Sequence, residues 1–170
     1  MTVSDNLHTV NPEKLRLVAV GGTFDRLHVG HMTLILKAFE GGERVLIGLS
    51  TDEFARRMGK PPDVEPYEVR VRELREFLRK RGLEHRAEIV PLRDPYGPAA
   101  YDGRVEGLVV SVETAWRAEE INELRKARGL KPLRVFVVDM VLAEDGRPVS
   151  SSRVRAGEVD RFGRIVGPKA

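Results

Sequence analysis

At 170 residues the chain has room for one domain with a real core and too little for two. Its 41% hydrophobic and 32% charged content is that of a globular protein; zero cysteine excludes disulfides, thiolate nucleophiles and thiolate metal sites and suits a reducing cytoplasm. The net charge of +3 leaves no segregated basic face for nucleic acid, because Lys and Arg alternate with Glu and Asp, as in Arg70–Glu76. No apolar stretch nears the ~20 residues of a membrane span.

In chain order, Met1–Glu13 lacks the apolar core of a secretion signal and is expected to be a flexible tail over 1–13. The domain is expected over 14–160, followed by a C-terminal tail at 161–170. Five apolar runs rich in Val, Ile and Leu predict strands: Leu15–Val20, Arg44–Leu49, Ala87–Leu92, Gly107–Val112 and Leu133–Val138. They lack polar alternation, so both faces should be buried. Helical patterns lie between them. The first, Met32–Phe39, stacks Leu34, Ile35, Ala38 and Phe39 and ends at Gly41-Gly42. The second starts at Pro66, places Tyr67, Val71, Leu74 and Leu78 on one face, and stops at Gly82. The third runs from Thr114, an expected N-cap, through Ile121 and Leu124 to Gly129, with Trp116 expected on its core face. Alternating strands and helices predict an α/β fold: a single Rossmann-like, doubly wound domain with a five-stranded parallel sheet flanked by helices. Ligands of such sheets sit beyond the carboxyl ends of the strands, at the switch point.

The segment Gly21-Gly22-Thr23-Phe24-Asp25-Arg26-Leu27-His28-Val29-Gly30-His31 falls there, between the first strand and the first helix. Glycines allow close backbone approach, and free amides at a helix start attract an anion. His28 and His31, three residues apart, can aim their imidazoles at one phosphate. The spacing fits neither the dinucleotide Gly-x-Gly-x-x-Gly pattern nor a P-loop. Two zinc ligands are the alternative, but His8 and His85 lie in a tail and a turn, and no cysteine is available to complete a site. The run Val149-Ser150-Ser151-Ser152-Arg153-Val154-Arg155 reads first as a helix cap; its hydroxyls and guanidinium groups also suit phosphate oxygens.

Together these stretches resemble the nucleotidyltransferases marked by His/Thr-x-Gly-His near the start and Ile-Ser-Ser-Thr-x-x-Arg near the end. Ser152 stands in the threonine place and Arg155 is the motif arginine. Asp94-Pro-Tyr-Gly-Pro-Ala99, Val109-Val-Ser-Val-Glu-Thr114 and Pro66-Tyr67…Arg70 are similar to the phosphopantetheine adenylyltransferases of the archaeal and eukaryotic branch, and the likeness spans Leu15 to Arg155. The resemblance implies transfer of AMP from ATP, with Mg²⁺, to 4′-phosphopantetheine. It implies that Gly22, Thr23, Phe24, His28 and His31 line the ATP phosphates, and that Ser150, Ser151, Ser152 and Arg155 hold the nucleotide from the other side. It further implies that Thr23 and Lys60 meet the acceptor phosphate. His28, His31 and Lys60 are the expected catalytic residues, and Tyr96 could flank the pantetheine arm or simply belong to a turn held by Pro95 and Pro98. Ser111–Thr114 stands where the bacterial branch has paired arginines, so those roles do not transfer; Arg117 is a candidate substitute. Adenylyl- or cytidylyltransferases for nicotinamide mononucleotide, FMN or glycerol 3-phosphate share the outer motifs. A nucleotide-binding sensor without turnover is the non-enzymatic alternative.

Overall fold

The computed structural model describes residues 14–166, so His8 and the expected tail 1–13 lie outside it. Five strands, β1 (Leu15–Gly22), β2 (Gly42–Ser50), β3 (Ala87–Leu92), β4 (Gly107–Ser111) and β5 (Arg134–Val138), form one sheet. All neighbours are parallel, in the order β3-β2-β1-β4-β5. The chain therefore winds outward from β1 to β3, then returns to the other side of β1. That reversal opens a crevice at the carboxyl ends of β1 and β4, where a doubly wound sheet receives its ligand.

The helices are α1 (Val29–Gly41), α2 (Asp52–Arg57), α3 (Tyr67–Lys80), α4 (Ala115–Ala127) and α5 (Ser151–Arg155). Alternate residues of each central strand face opposite layers. Val18 and Val20 of β1 pack with Val45, Ile47 and Leu49 under Ile35, Phe39, Leu74 and Leu78 from α1 and α3. Leu17 and Ala19 face the other way, with Leu46, Leu108 and Val110, against Ala118 and Ile121 of α4. Helix α1 passes into β2 with no intervening residue, and Gly42 makes this possible: a Cβ there would lie 2.8 Å from Val18 Cγ2. Among the described residues no helix is long and apolar enough to cross a membrane.

Local details depart from the expectations or add to them. Helix α2, capped by the Thr51 hydroxyl, was not foreseen; six residues are too few to show periodicity. Thr114 occupies the expected N-cap position of α4, but its side chain caps nothing, because its Oγ1 accepts the Ser111 amide at 3.2 Å. Trp116 is 54% exposed, since the buried stripe of α4 is Ala118, Ile121 and Arg125. Two residues before Ala118 is about 200° around the helix, on the solvent side. Finally, of the segment 161–170 expected as a tail, residues 161–166 are described, mostly exposed, and tied back by backbone contacts. Arg161 O accepts the Val29 amide at 2.7 Å, and Val159 bridges Ile165.

Candidate active site

The crevice is a cleft of about 580 Å³ lined by Gly22, Thr23, Phe24, His28 and His31 on one side. Ser150, Ser151, Ser152 and Arg155 border it on another side, and Lys60 on a third. The two distant sequence motifs, more than a hundred residues apart, are thus brought to one cavity. Lys60 joins them.

The entry to α1 determines how the histidines act. His28 is the N-cap: its Nδ1 accepts the amides of Gly30 at 3.1 Å and His31 at 3.4 Å. His31 reciprocates, its Nδ1 accepting the His28 amide at 3.2 Å. The result is a capping box built from two imidazoles in place of the usual hydroxyl and carboxylate. The rings stack, with centroids 3.6 Å apart and planes 20° from parallel. Gly30 is required between them, because a Cβ there would sit 2.9 Å from the His28 ring. A neutral imidazole that accepts at Nδ1 carries its proton on Nε2. Both rings therefore present Nε2–H as a donor.

They are held neutral. Burial, the charge of Arg161 and a smaller opposing effect of Asp25 bring His28 down to about 4. Burial, then His28 and then Lys60, push His31 well below its ordinary value. The unfolded chain titrates near 6.5, so between that pH and about 4 it binds a proton that folded His28 refuses. Stability from His28 is complete above pH 6.5 and declines as pH falls toward 4, by about 2 kcal/mol at pH 5. His28→Asn, which keeps a capping oxygen, should therefore lose less stability than the parent between pH 7 and 5. Equal losses in chemical unfolding would contradict this account.

The turn before α1 is strained. Phe24 and Arg26 have φ of 51° and 48°, a region that costs side-chain-bearing residues on the order of 1–3 kcal/mol each. Two buried charges hold it. Arg70 is fully buried and donates to the carbonyls of Thr23 (2.9 Å), Ser50 (2.8 Å) and Glu65 (2.7 Å) and to Asp52 Oδ1 (3.0 Å). Asp25, 2% exposed, accepts the Glu65 amide at 2.9 Å and pairs with Arg26 at 2.7 Å and Arg155 at 3.2 Å. Burial acts to raise the Asp25 pKa, but the Glu65 amide, Arg26 and Arg155 together bring it below the usual value. The sequence pattern gave neither residue a role, because most partners of Arg70 are backbone carbonyls and Asp25 is joined to Glu65 and Arg155, 40 and 130 positions on.

The serine run divides its work. Ser150 caps α5, accepting the Arg153 amide at 3.2 Å, and Ser151 donates to the Asp25 carbonyl at 2.8 Å. Ser152 is exposed at the cleft. Arg153 turns away to Asp145 and Glu158, whereas Arg155 stays at the cleft between Asp25 and Asp63. The run thus supplies a helix cap at Ser150 and an exposed hydroxyl in the cleft at Ser152.

Tyr96 is outside this cleft. It lines an adjoining pocket of about 80 Å³ with Gly48, Leu92, Pro98 and Arg117, and its hydroxyl donates to Glu120. Gly21, Leu34 and Thr114 border both spaces. The Tyr96 turn is built by Asp94 Oδ1, which accepts the amides of Tyr96 at 2.9 Å and Gly97 at 2.7 Å.

The cytidylyltransferase-like family matches residues 19–157. A phosphopantetheine adenylyltransferase of Methanopyrus kandleri is 53% identical over 86% of this chain and 92% of its own length. One from Methanothermobacter thermautotrophicus is 46% identical over 90% and 91% respectively. A crystal structure of a protein of unknown function from Archaeoglobus fulgidus superposes with a TM-score of 0.64 at 36% identity, covering 72% of this chain and 88% of that one. The chain belongs to the cytidylyltransferase-like family and, within it, groups with the archaeal phosphopantetheine adenylyltransferases.

Proposed function

We propose that this protein is a phosphopantetheine adenylyltransferase, moving AMP from MgATP to 4′-phosphopantetheine and releasing dephospho-coenzyme A and pyrophosphate. The observation that carries the reading is the convergence of both motifs and Lys60 on one cleft at the sheet's switch point. Curated relatives up to 53% identical carry that name.

An acceptor phosphate monoester has its second pKa at about 6, so it reaches neutral pH already ionised. Its oxygen attacks the α-phosphorus of ATP in line, and the bond to pyrophosphate breaks. No strong base is needed. The barrier lies in holding two polyanions together and offsetting charge on the pentacoordinate phosphorus. Neutral His28 and His31 would donate Nε2–H to phosphate oxygens without exchanging protons. The amides at the start of α1, with Gly22, Thr23 and Phe24, would seat the nucleotide phosphates. Ser152 and Arg155 would approach from the opposite wall, and Lys60 would meet the acceptor phosphate with Thr23.

Among the described residues no three His, Asp or Glu side chains gather to hold a metal. Magnesium is accordingly proposed to arrive as MgATP, held by phosphates and water. The pocket beside Tyr96 is the proposed course of the pantetheine arm, since Gly21, Leu34 and Thr114 border both it and the cleft.

Incubation with MgATP and 4′-phosphopantetheine should yield dephospho-coenzyme A, identified by mass, in equal amount to pyrophosphate. ATP hydrolysis without that product would refute the assignment. Lys60→Ala should raise KM for phosphopantetheine about tenfold or more, the loss expected for a hydrogen bond to a charged group. A change confined to the KM for ATP would remove Lys60 from the acceptor side.

A further inference from the structure

Asp63 is an acidic residue between Pro61 and Val64, which line a cleft proposed to admit two polyanions, a placement that would repel ligands unless it served the fold of the site. It is 57% exposed at its side chain, so burial does not explain it. Its contacts do. Asp63 Oδ2 lies 3.3 Å from Arg155 Nε, and its carbonyl accepts Arg26 Nη1 at 3.1 Å. Arg155 and Arg26 both also pair with the buried Asp25. Asp63 therefore ties the 58–65 loop to the wall that carries both sequence motifs.

That loop carries Lys60. On the near side the loop is fastened to α2, the amides of Gly59 and Lys60 donating to Arg56 and Ala55 carbonyls, each at 3.0 Å. On the far side it is fastened at Asp63 and, through the Glu65 amide, at Asp25 Oδ1 (2.9 Å). Between Lys60 and Asp63 stand only Pro61 and Pro62. Each proline fixes its own φ, so the span is stiff and a restraint at Asp63 is transmitted to Lys60. Without the carboxylate, the far side would keep the Asp63 carbonyl on Arg26 and the Glu65 amide on Asp25 but lose its tie to Arg155.

We propose that Asp63 is a positioning residue: by latching onto Arg155 and Arg26 it holds the Lys60 ammonium at the place where the acceptor phosphate binds. This rests on the reading of Lys60 as an acceptor ligand. The pairing also neutralises Asp63, which removes the repulsion that its charge would otherwise exert on incoming phosphate.

The test is steady-state kinetics of the full chain and its Asp63→Asn, Asp63→Glu, Lys60→Ala and Asp63→Asn/Lys60→Ala variants. An exposed ion pair supports an effect of about three- to fivefold. Asp63→Asn should raise KM for 4′-phosphopantetheine by that factor, with kcat and KM for ATP within about twofold of the parent. Asp63→Glu should recover most of the loss. In the Lys60→Ala background, Asp63→Asn should add almost nothing, a silence that a merely structural defect would not produce. Parental constants in Asp63→Asn would overturn the proposal. So would a rise in KM for ATP alone, which would assign Asp63 to Arg155, or an undiminished effect without Lys60. Failure of the parent protein to use phosphopantetheine would overturn the functional reading and the proposal with it, and it is seen before any variant is made.

Discussion

His31→Ala should lower kcat by about a hundredfold or more, the loss that accompanies removal of one preorganised donor to a developing oxyanion. The reason lies in how α1 begins. His31 Nδ1 is occupied by the His28 amide at 3.2 Å, which leaves Nε2–H as its only outward donor. Stacking on His28 and an edge contact with Phe24, at 5.3 Å between centroids, fix the ring's direction. A fixed donor costs no reorganisation when charge builds on phosphorus. The substitution also removes one acceptor from the capping box, about 1 kcal/mol of helix stability, so the fold should survive. A loss of only two- or threefold in a folded variant would show that charge on the phosphorus is offset elsewhere.

Arg70→Met should destabilise the protein by about 3–5 kcal/mol and lower Tm on the order of 10 °C. Burying a guanidinium is costly, and replacing every partner of such a group by apolar residues can be neutral. Removing Arg70 alone is different. It would leave the carbonyls of Thr23, Ser50 and Glu65 without their donor and free Asp52 from its 3.0 Å pair. The Thr23 carbonyl matters most, because it precedes the two left-handed residues of the turn before α1. The folded fraction of the variant should consequently lose activity as well as stability. Differential scanning calorimetry decides the first point: a Tm within about 3 °C of the parent would mean that the turn holds itself.

Much of this architecture was legible in the chain. The five strands read clearly from their apolar runs; β3 matches its expected bounds and β2 extends its run by three residues, but the expected burial of both faces fails at the edge strands β3 and β5, which are only partly buried because each has a neighbour on one side alone. The glycine–histidine wall of the cleft read clearly because its residues are contiguous. What was hidden depends on buried charge and on distance along the chain. Arg70 and Arg125 occupy core-facing helix positions that pattern reasoning assigns to apolar side chains, and both donate to backbone carbonyls, which leave no trace in the sequence. On α4 it is Arg125 that joins Ala118 and Ile121 in the buried stripe. Asp25 sat in plain view within the glycine–histidine stretch. Its partners, Glu65 and Arg155, lie 40 and 130 residues on, so only the fold reveals it as the joint between three segments.

The most direct test is pyrophosphate release from MgATP with 4′-phosphopantetheine, nicotinamide mononucleotide, FMN and glycerol 3-phosphate offered in turn. The account predicts kcat/KM for phosphopantetheine at least about a hundredfold above every other acceptor, as expected of a pocket that pairs polar groups with one substrate. Comparable rates with another acceptor would contradict the pantetheine assignment, and tight ATP binding with no release for any of them would make the cleft a sensor.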